Sequence, residues 1–143
     1  MRINNSNKIS TQRKLRLPGR RFLQQRVHSF RCAFSGLWDM LLTETNAWIH
    51  AGMTVMILLV SWWLQISRQD FGLIMIAIVS VWVAEAFNTV LEIMMDYVTS
   101  KQYSPMVGRA KDISAAAVLI TSLGAAIIGL SVLGPPLFEK IVG

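Results

Sequence analysis

Four polar side chains interrupt one long apolar stretch of the sequence. Glu85, Asn88, Glu92 and Asp96 are three, four and four residues apart, and a helix that turns by about 100° per residue brings all four to one face. A carboxylate within the hydrocarbon of a bilayer costs about 2.5 kcal/mol or more, so this face requires partners, a metal ion or water. One interpretation is a polar stripe that only joins helices, and the other is a site for cation and phosphate chemistry.

A short basic segment follows this stretch and favours the second interpretation. Arg109 and Lys111 lie in G-R-A-K-D, which ends at Asp112. Carboxylates beside basic residues can hold Mg²⁺ and ATP, because Mg²⁺ prefers oxygen ligands and the basic groups offset phosphate charge. A deeper carboxylate could accept a proton from a lipid hydroxyl. We therefore predict phosphoryl transfer to a membrane lipid alcohol. The alternatives are an assembly factor, or a transporter or scaffold subunit that uses the acids for proton or cation coupling.

The composition indicates an integral membrane protein. The chain has 143 residues, which is the length of one domain, and 53% of them are hydrophobic. Its net charge is +6, but nine of the fourteen basic residues lie in the first 31 positions, where no acid occurs. Because apolar segments follow this basic stretch, we expect it to bind anionic lipid headgroups and no nucleic acid. The single cysteine, Cys32, excludes an intramolecular disulfide.

The sequence pattern predicts an all-α membrane protein with a surface helix and three transmembrane helices. Apolar residues at spacings of three and four predict an amphipathic helix in the plane of the interface. The third span is expected to end at Gly134-Pro135-Pro136, because proline interrupts a helix. The predicted segments are a disordered basic tail at 1–19, a kinase domain at 20–137 (surface helix 20–43, spans 47–66, 71–95 and 113–133), a loop at 97–111 and a C-terminal tail at 138–143.

The distribution of lysine and arginine predicts the orientation. The N-terminal side and the 97–111 loop share one face of the membrane and carry most of these residues, whereas the other face has only Arg68 and Lys140. The first face is therefore expected to be cytoplasmic, with Gly143 outside. This orientation places the predicted nucleotide site on the side where ATP is available.

Three segments resemble the small prokaryotic integral-membrane lipid kinases, diacylglycerol kinase and undecaprenol kinase. E-A-F-N-T-V-L-E-I-M-M-D, from Glu85 to Asp96, is similar to the family's E-x-x-N-[ST]-[AV]-x-E-x-x-x-D signature. The G-R-A-K-D segment is also similar, as is E-T-N-A-W-I-H from Glu44 to His50, in which Trp48 stands where many relatives have arginine. The likeness covers about residues 22 to 137.

The resemblance implies a role for each matching residue. Glu85 would be the general base toward the lipid hydroxyl, with Asn88 as its polar partner. Glu44 and Glu92 would hold Mg²⁺. The nucleotide would be bound by Arg109, Lys111 and Asp112, with support from Asp96. The family also implies a bacterial plasma-membrane protein, a homotrimer with active sites between protomers, and ATP as co-substrate. The acceptor could be diacylglycerol or undecaprenol. His50 is interpreted from the sequence as a structural residue.

Overall fold

The computed structural model describes residues 18–100, 102 and 104–143, and within these residues it contains helices and no strand. The four helices are α1 (Pro18–Thr43), α2 (Thr45–Leu64), α3 (Arg68–Val98) and α4 (Pro105–Val142). Helices α2, α3 and α4 are each long and apolar enough to cross a membrane. The predicted all-α fold class with three candidate spans is confirmed.

The first helix begins two residues earlier than predicted. Pro18 can occupy the first position of a helix, because its fixed φ suits that position and its missing N–H would have no partner there. The rest of the predicted tail, residues 1–17, lies outside the described residues. The chain divides into two units, Met1–Ser35 and Gly36–Gly143, so the boundary falls within α1. The apolar side chains of α1 from Phe22 to Phe34 are exposed, and the predicted location of this helix at the membrane interface stays a prediction.

The connection between α2 and α3 is three residues long. Gln65 ends α2 in the left-handed conformation, at φ 53°, and its N–H reaches back to the carbonyls of Ser61 and Trp62. Ser67 then caps α3, since its hydroxyl accepts a hydrogen bond from the N–H of Asp70 at 3.1 Å and donates to the Asp70 carboxylate at 2.8 Å. This tight turn makes α2 and α3 antiparallel neighbours.

The predicted loop over residues 97–111 is wrong for most of its length. Helix α3 continues to Val98, and α4 already begins at Pro105. The reason is that Ser104 adopts the extended conformation that precedes a proline, and Pro105 then occupies the first position of α4. The basic G-R-A-K-D segment is therefore helical. Lys101 and Tyr103 lie outside the described residues.

The expectation that the third helix ends at Gly134-Pro135-Pro136 is also wrong, because α4 continues through both prolines to Val142. Two contacts hold the segment after the prolines. Leu137 packs against the apolar cluster described below. Lys140 donates to the backbone carbonyl of Trp63 at 2.8 Å and lies over the indole ring, 4.7 Å from its centroid. The carbonyl of Trp63 is in the last turn of α2, where a helix lacks partners of its own.

The packing is tightest between α3 and α4, whereas α2 touches both helices less extensively. Leu64, Ile74 and Leu133 form a buried apolar cluster where α2 ends, α3 begins and α4 ends. We call this region the apolar end. The opposite region, where α2 begins, α3 ends and α4 begins, carries the polar residues singled out above. We call it the polar end.

Candidate functional site

The polar stripe of α3 faces the inside of the Gly36–Gly143 unit. Glu85, Asn88 and Thr89 are buried, and Glu92 and Asp96 are half-buried. The helix positions them because their spacing of three and four residues follows its turn, while Phe87, Val90 and Ile93 on the other faces are exposed as membrane-facing side chains would be. The predicted common face is therefore confirmed for these residues.

Glu85 is the most deeply buried polar residue of this site. Its exposure is 0%, and neither carboxylate oxygen has a hydrogen-bond partner among the described residues. The nearest basic group is His50 on α2, whose Nε2 is 3.9 Å from Oε2 of Glu85. A buried oxygen without a hydrogen bond costs about 1–3 kcal/mol, and more where the group is charged. Both oxygens of Glu85 are therefore buried without a hydrogen bond among the described residues.

A chain of hydrogen bonds orients the next residues of the stripe. The Asn88 amide donates from Nδ2 to Oε1 of Glu92 at 3.0 Å. The Ser114 hydroxyl of α4 shares its one proton between Oδ1 of Asn88 at 2.7 Å and the backbone carbonyl of Lys111 at 2.8 Å. The carboxylate can only accept, so the NH₂ of Asn88 must face Glu92 and its oxygen must face Ser114. The order of donors and acceptors thus sets the direction of the Glu92 carboxylate.

The last acid of the stripe pairs with the basic segment. Lys111, in the second turn of α4, forms an ion pair and a hydrogen bond with the carboxylate of Asp96. This contact links α3 and α4 and holds an ammonium group one turn of α3 beyond Glu92. Arg109 and Asp112 are exposed on α4, and no hydrogen bond or ion pair of the described side chains joins them to the other predicted site residues.

Glu44 lies at the start of α2, between two helices. It is half-buried, its backbone is extended, and its carboxylate is 3.5 Å from the hydroxyl of Thr43. Glu44 at the start of α2 and Glu92 near the end of α3 therefore both lie at the polar end. That α2 and α3 bring the carboxylates of Glu44 and Glu92 together stays a prediction.

The carboxylates of the site could supply part of the ligands of a Mg²⁺ ion, with phosphates and water as the rest. No group of three or more His, Cys, Asp or Glu side chains within the described parts of the chain has the arrangement to hold a metal ion. Glu44 and Glu92 supply carboxylate oxygens, the ligand type that Mg²⁺ prefers, and Mg²⁺ commonly takes one or two carboxylates together with phosphates and water. The residues present therefore fit a metal that arrives with a nucleotide.

A groove of about 380 Å³ leads away from the polar end between α2, α3 and α4. Its lining is mainly apolar and includes small residues of α3 and α4, such as Ala77, Ala125 and Gly129. His50 lies in this lining and also faces Glu85, so its ring connects the groove with the buried carboxylate. The groove has the character of a site for a hydrocarbon chain.

Two contributors to the site went unrecognised in the sequence. Ser114 follows Lys111 by three residues, which places both on the same face of a helix, and this spacing could have identified it. His50 is the one ionisable residue of the first apolar span. An ionisable side chain in a membrane helix is a reason to expect function, although nothing in the sequence indicates that it faces Glu85.

Comparisons with known proteins identify the family of the chain. The family described as prokaryotic diacylglycerol kinase matches residues 31–133. The chain is 31% identical over 117 residues to the undecaprenol kinase of Bacillus subtilis (strain 168), a match covering 82% of this chain and 91% of that one. It is also 30% identical over 114 residues to the diacylglycerol kinase of Synechocystis sp., covering 80% of this chain and 65% of the relative.

Proposed function

The chain belongs to the prokaryotic diacylglycerol kinase family and is a membrane lipid kinase, and from this premise we propose that it transfers the γ-phosphate of ATP directly to the hydroxyl of a membrane lipid alcohol. The observation that carries the direct transfer is the state of Glu85. A fully buried carboxylate with two unbonded oxygens, beside an apolar groove, is placed to take a proton from a hydroxyl that approaches from the membrane.

The proposed reaction needs one proton transfer from the protein. As the hydroxyl oxygen of the lipid bonds to the γ-phosphorus, the bond from that phosphorus to the oxygen of the β-phosphate breaks, and ADP leaves. The hydroxyl proton passes to an oxygen of Glu85, and water receives it later. Most of the rate gain in such transfers comes from positioning and neutralisation of charge, so the other residues act by holding the reactants.

Glu44 and Glu92 are the proposed ligands of Mg²⁺. When bound, the ion would neutralise charge on the phosphate oxygens. Asn88 and Ser114 support this role because they set the direction of the Glu92 carboxylate. Lys111 is the proposed nucleotide contact, positioned by Asp96, and Arg109 and Asp112 are proposed as further contacts from the same helix.

The acceptor is proposed to be diacylglycerol or undecaprenol, the two lipids named for the relatives. A kinase assay with radiolabelled ATP in detergent micelles, run with each lipid and with none, tests both the activity and the choice. We expect labelled lipid from one of the two. ATP hydrolysis without labelled lipid, or no reaction at all, would contradict direct transfer and favour proton or cation coupling.

The proposed cytoplasmic location of the site can be tested by labelling. Single cysteines at Ser104 and Gly143, in a Cys32→Ala background, should differ on intact cells. An impermeant thiol reagent should label position 143 and spare position 104, because the excess of basic residues lies on the side of Ser104. The reverse result would overturn the orientation.

Assembly into a homotrimer is also proposed. Ala117, Thr121, Ala125 and Gly129 recur every four residues on α4, a pattern that lets membrane helices approach closely. Within the chain Gly129 is buried, where an added Cβ would be 3.9 Å from Cδ1 of Ile57, whereas Ala117 is exposed. Ala117 therefore lies where a second copy could pack, and the mass of the protein in detergent tests for a trimer.

A further inference from the structure

We propose that His50 is a second residue of the acceptor site, donating a hydrogen bond to the lipid hydroxyl while Glu85 accepts that hydroxyl's proton. This inference rests on the proposed lipid kinase activity and deepens it. The groove between α2, α3 and α4 would then bind the hydrocarbon chain of the acceptor lipid.

The distance between the two side chains is the first argument. Nε2 of His50 and Oε2 of Glu85 are 3.9 Å apart, which is too far for a direct hydrogen bond. Both oxygens of Glu85 are also fully buried, so a hydroxyl that enters from the groove must move the two side chains apart. Once between them, it can donate to the carboxylate and accept from the imidazole at the same time.

The burial of the pair is the second argument. The side chain of His50 is only 16% exposed and that of Glu85 is fully buried, and neither Glu85 oxygen has a hydrogen-bond partner among the described residues. A buried carboxylate is costly without a partner, and a bound hydroxyl would supply one. In the tautomer that carries its proton on Nε2, His50 directs its N–H toward Glu85.

The groove is the third argument, because His50 is part of its lining. Its lining is mainly apolar, which suits a hydrocarbon segment rather than the phosphates of a nucleotide. A lipid whose chain lies there presents its hydroxyl next to the imidazole. His50 would then fix the oxygen for attack, a positional requirement that phosphoryl transfer depends on.

The test separates loss of the donor from loss of the side chain. His50→Leu removes the N–H at similar volume, His50→Gln keeps an N–H donor of similar reach, and His50→Asn keeps a donor that falls short. His28→Leu, the same change at the exposed histidine of α1, is the matched control. Each variant is assayed in micelles for kcat and KM with diacylglycerol and with undecaprenol, and for KM with MgATP.

We expect His50→Leu to lower kcat/KM for the lipid by about tenfold to a hundredfold, the range for a lost hydrogen bond in a buried polar site. The KM for MgATP should change less than twofold. His50→Gln should recover most of the loss and His50→Asn little, and His28→Leu should match the wild type. If His50→Leu does not fold, the difference between the glutamine and asparagine variants still decides the question.

Equal activity of the leucine and glutamine variants, or of the glutamine and asparagine variants, would overturn the donor role. Failure of the wild type to phosphorylate either lipid would instead overturn the proposed function on which this inference rests. Filling the groove with Ala125→Leu should raise the KM for the lipid and leave the KM for MgATP unchanged. A change in the mass of the assembly with no change in the lipid KM would show that a second copy occupies the groove.

Discussion

At the apolar end of α2, α3 and α4, Leu64, Ile74 and Leu133 are buried against one another, whereas at the polar end the buried side chains include Glu85, Asn88 and Ser114. Each residue of the first group improves the packing of its neighbours. In the second group, Glu85 is buried without a hydrogen bond, at a cost in stability.

This difference indicates that the apolar end contributes mainly to stability and the polar end mainly to activity. Close packing at the apolar end can hold the helices together, with Lys140 fixing α4 to the end of α2. The polar end can then keep groups that are incompletely satisfied until substrates bind, as expected for a site that stores strain for function. Substitutions at the polar end should therefore affect turnover, and those at the apolar end should affect unfolding.

The largest expected effect is that of Glu85→Gln. The amide keeps the shape but cannot accept the proton, so lipid phosphorylation should fall by about a hundredfold or more. Because the substitution removes a buried charge without partners, the melting temperature should stay the same or rise. Kinase assays, MgATP binding and thermal melting in detergent check this. Near-normal phosphorylation with intact MgATP binding would remove Glu85 as the base.

Glu92→Gln should reduce activity by about a hundredfold, because it replaces a charged oxygen ligand of Mg²⁺ with a weaker one. Excess Mg²⁺ should not restore activity fully. Glu139→Gln is the matched control, since it removes the same charge from an exposed position near the apolar end and should leave the Mg²⁺ dependence unchanged. If both variants respond to Mg²⁺ as the wild type does, Glu92 is not a ligand.

Leu133→Ala should lower the free energy of unfolding by about 2 kcal/mol, the lower range for a cavity in a packed core, since lipid offers the exposed chain an apolar medium. Activity per folded molecule should not change. Leu130→Ala, on an exposed face of the same helix, should melt within a few degrees of the wild type. A loss of turnover in Leu133→Ala at a temperature where it remains folded would show that the two ends are coupled.

The elements and the stripe of α3 could be predicted from the sequence, because membrane spans are long and their polar residues are conspicuous. Two boundaries could not. Pro105 acts as a helix start and Pro135 as an interior residue, and the difference depends on contacts made elsewhere, such as Lys140 with Trp63. Proline marks a change in hydrogen bonding along the chain, and only the packing around it decides whether the helix ends.

The same limit applies to the site. The spacing of Glu85 and Asn88 follows from the turn of one helix, so the sequence contains it. The contacts of His50 with Glu85 and of Ser114 with Asn88 join different helices, and their geometry depends on how α2 and α4 rotate about their own axes against α3. The intramembrane acids therefore could be found from sequence, and the groups that orient or complete them could not.

The smallest expected effect is that of Ser114→Ala. The hydroxyl fixes the amide of Asn88, whose NH₂ in turn directs the Glu92 carboxylate, so its loss leaves a buried oxygen of Asn88 without a donor. Groups that orient a metal ligand typically contribute about tenfold to a hundredfold in metal affinity, and we expect about a tenfold higher Mg²⁺ requirement with an unchanged KM for the lipid. Ser131→Ala, an exposed hydroxyl farther along α4, is the control and should behave as the wild type. An equal Mg²⁺ requirement in the two variants would show that Asn88 holds Glu92 without help from α4, and the orientation of the metal ligand would then belong to α3 alone.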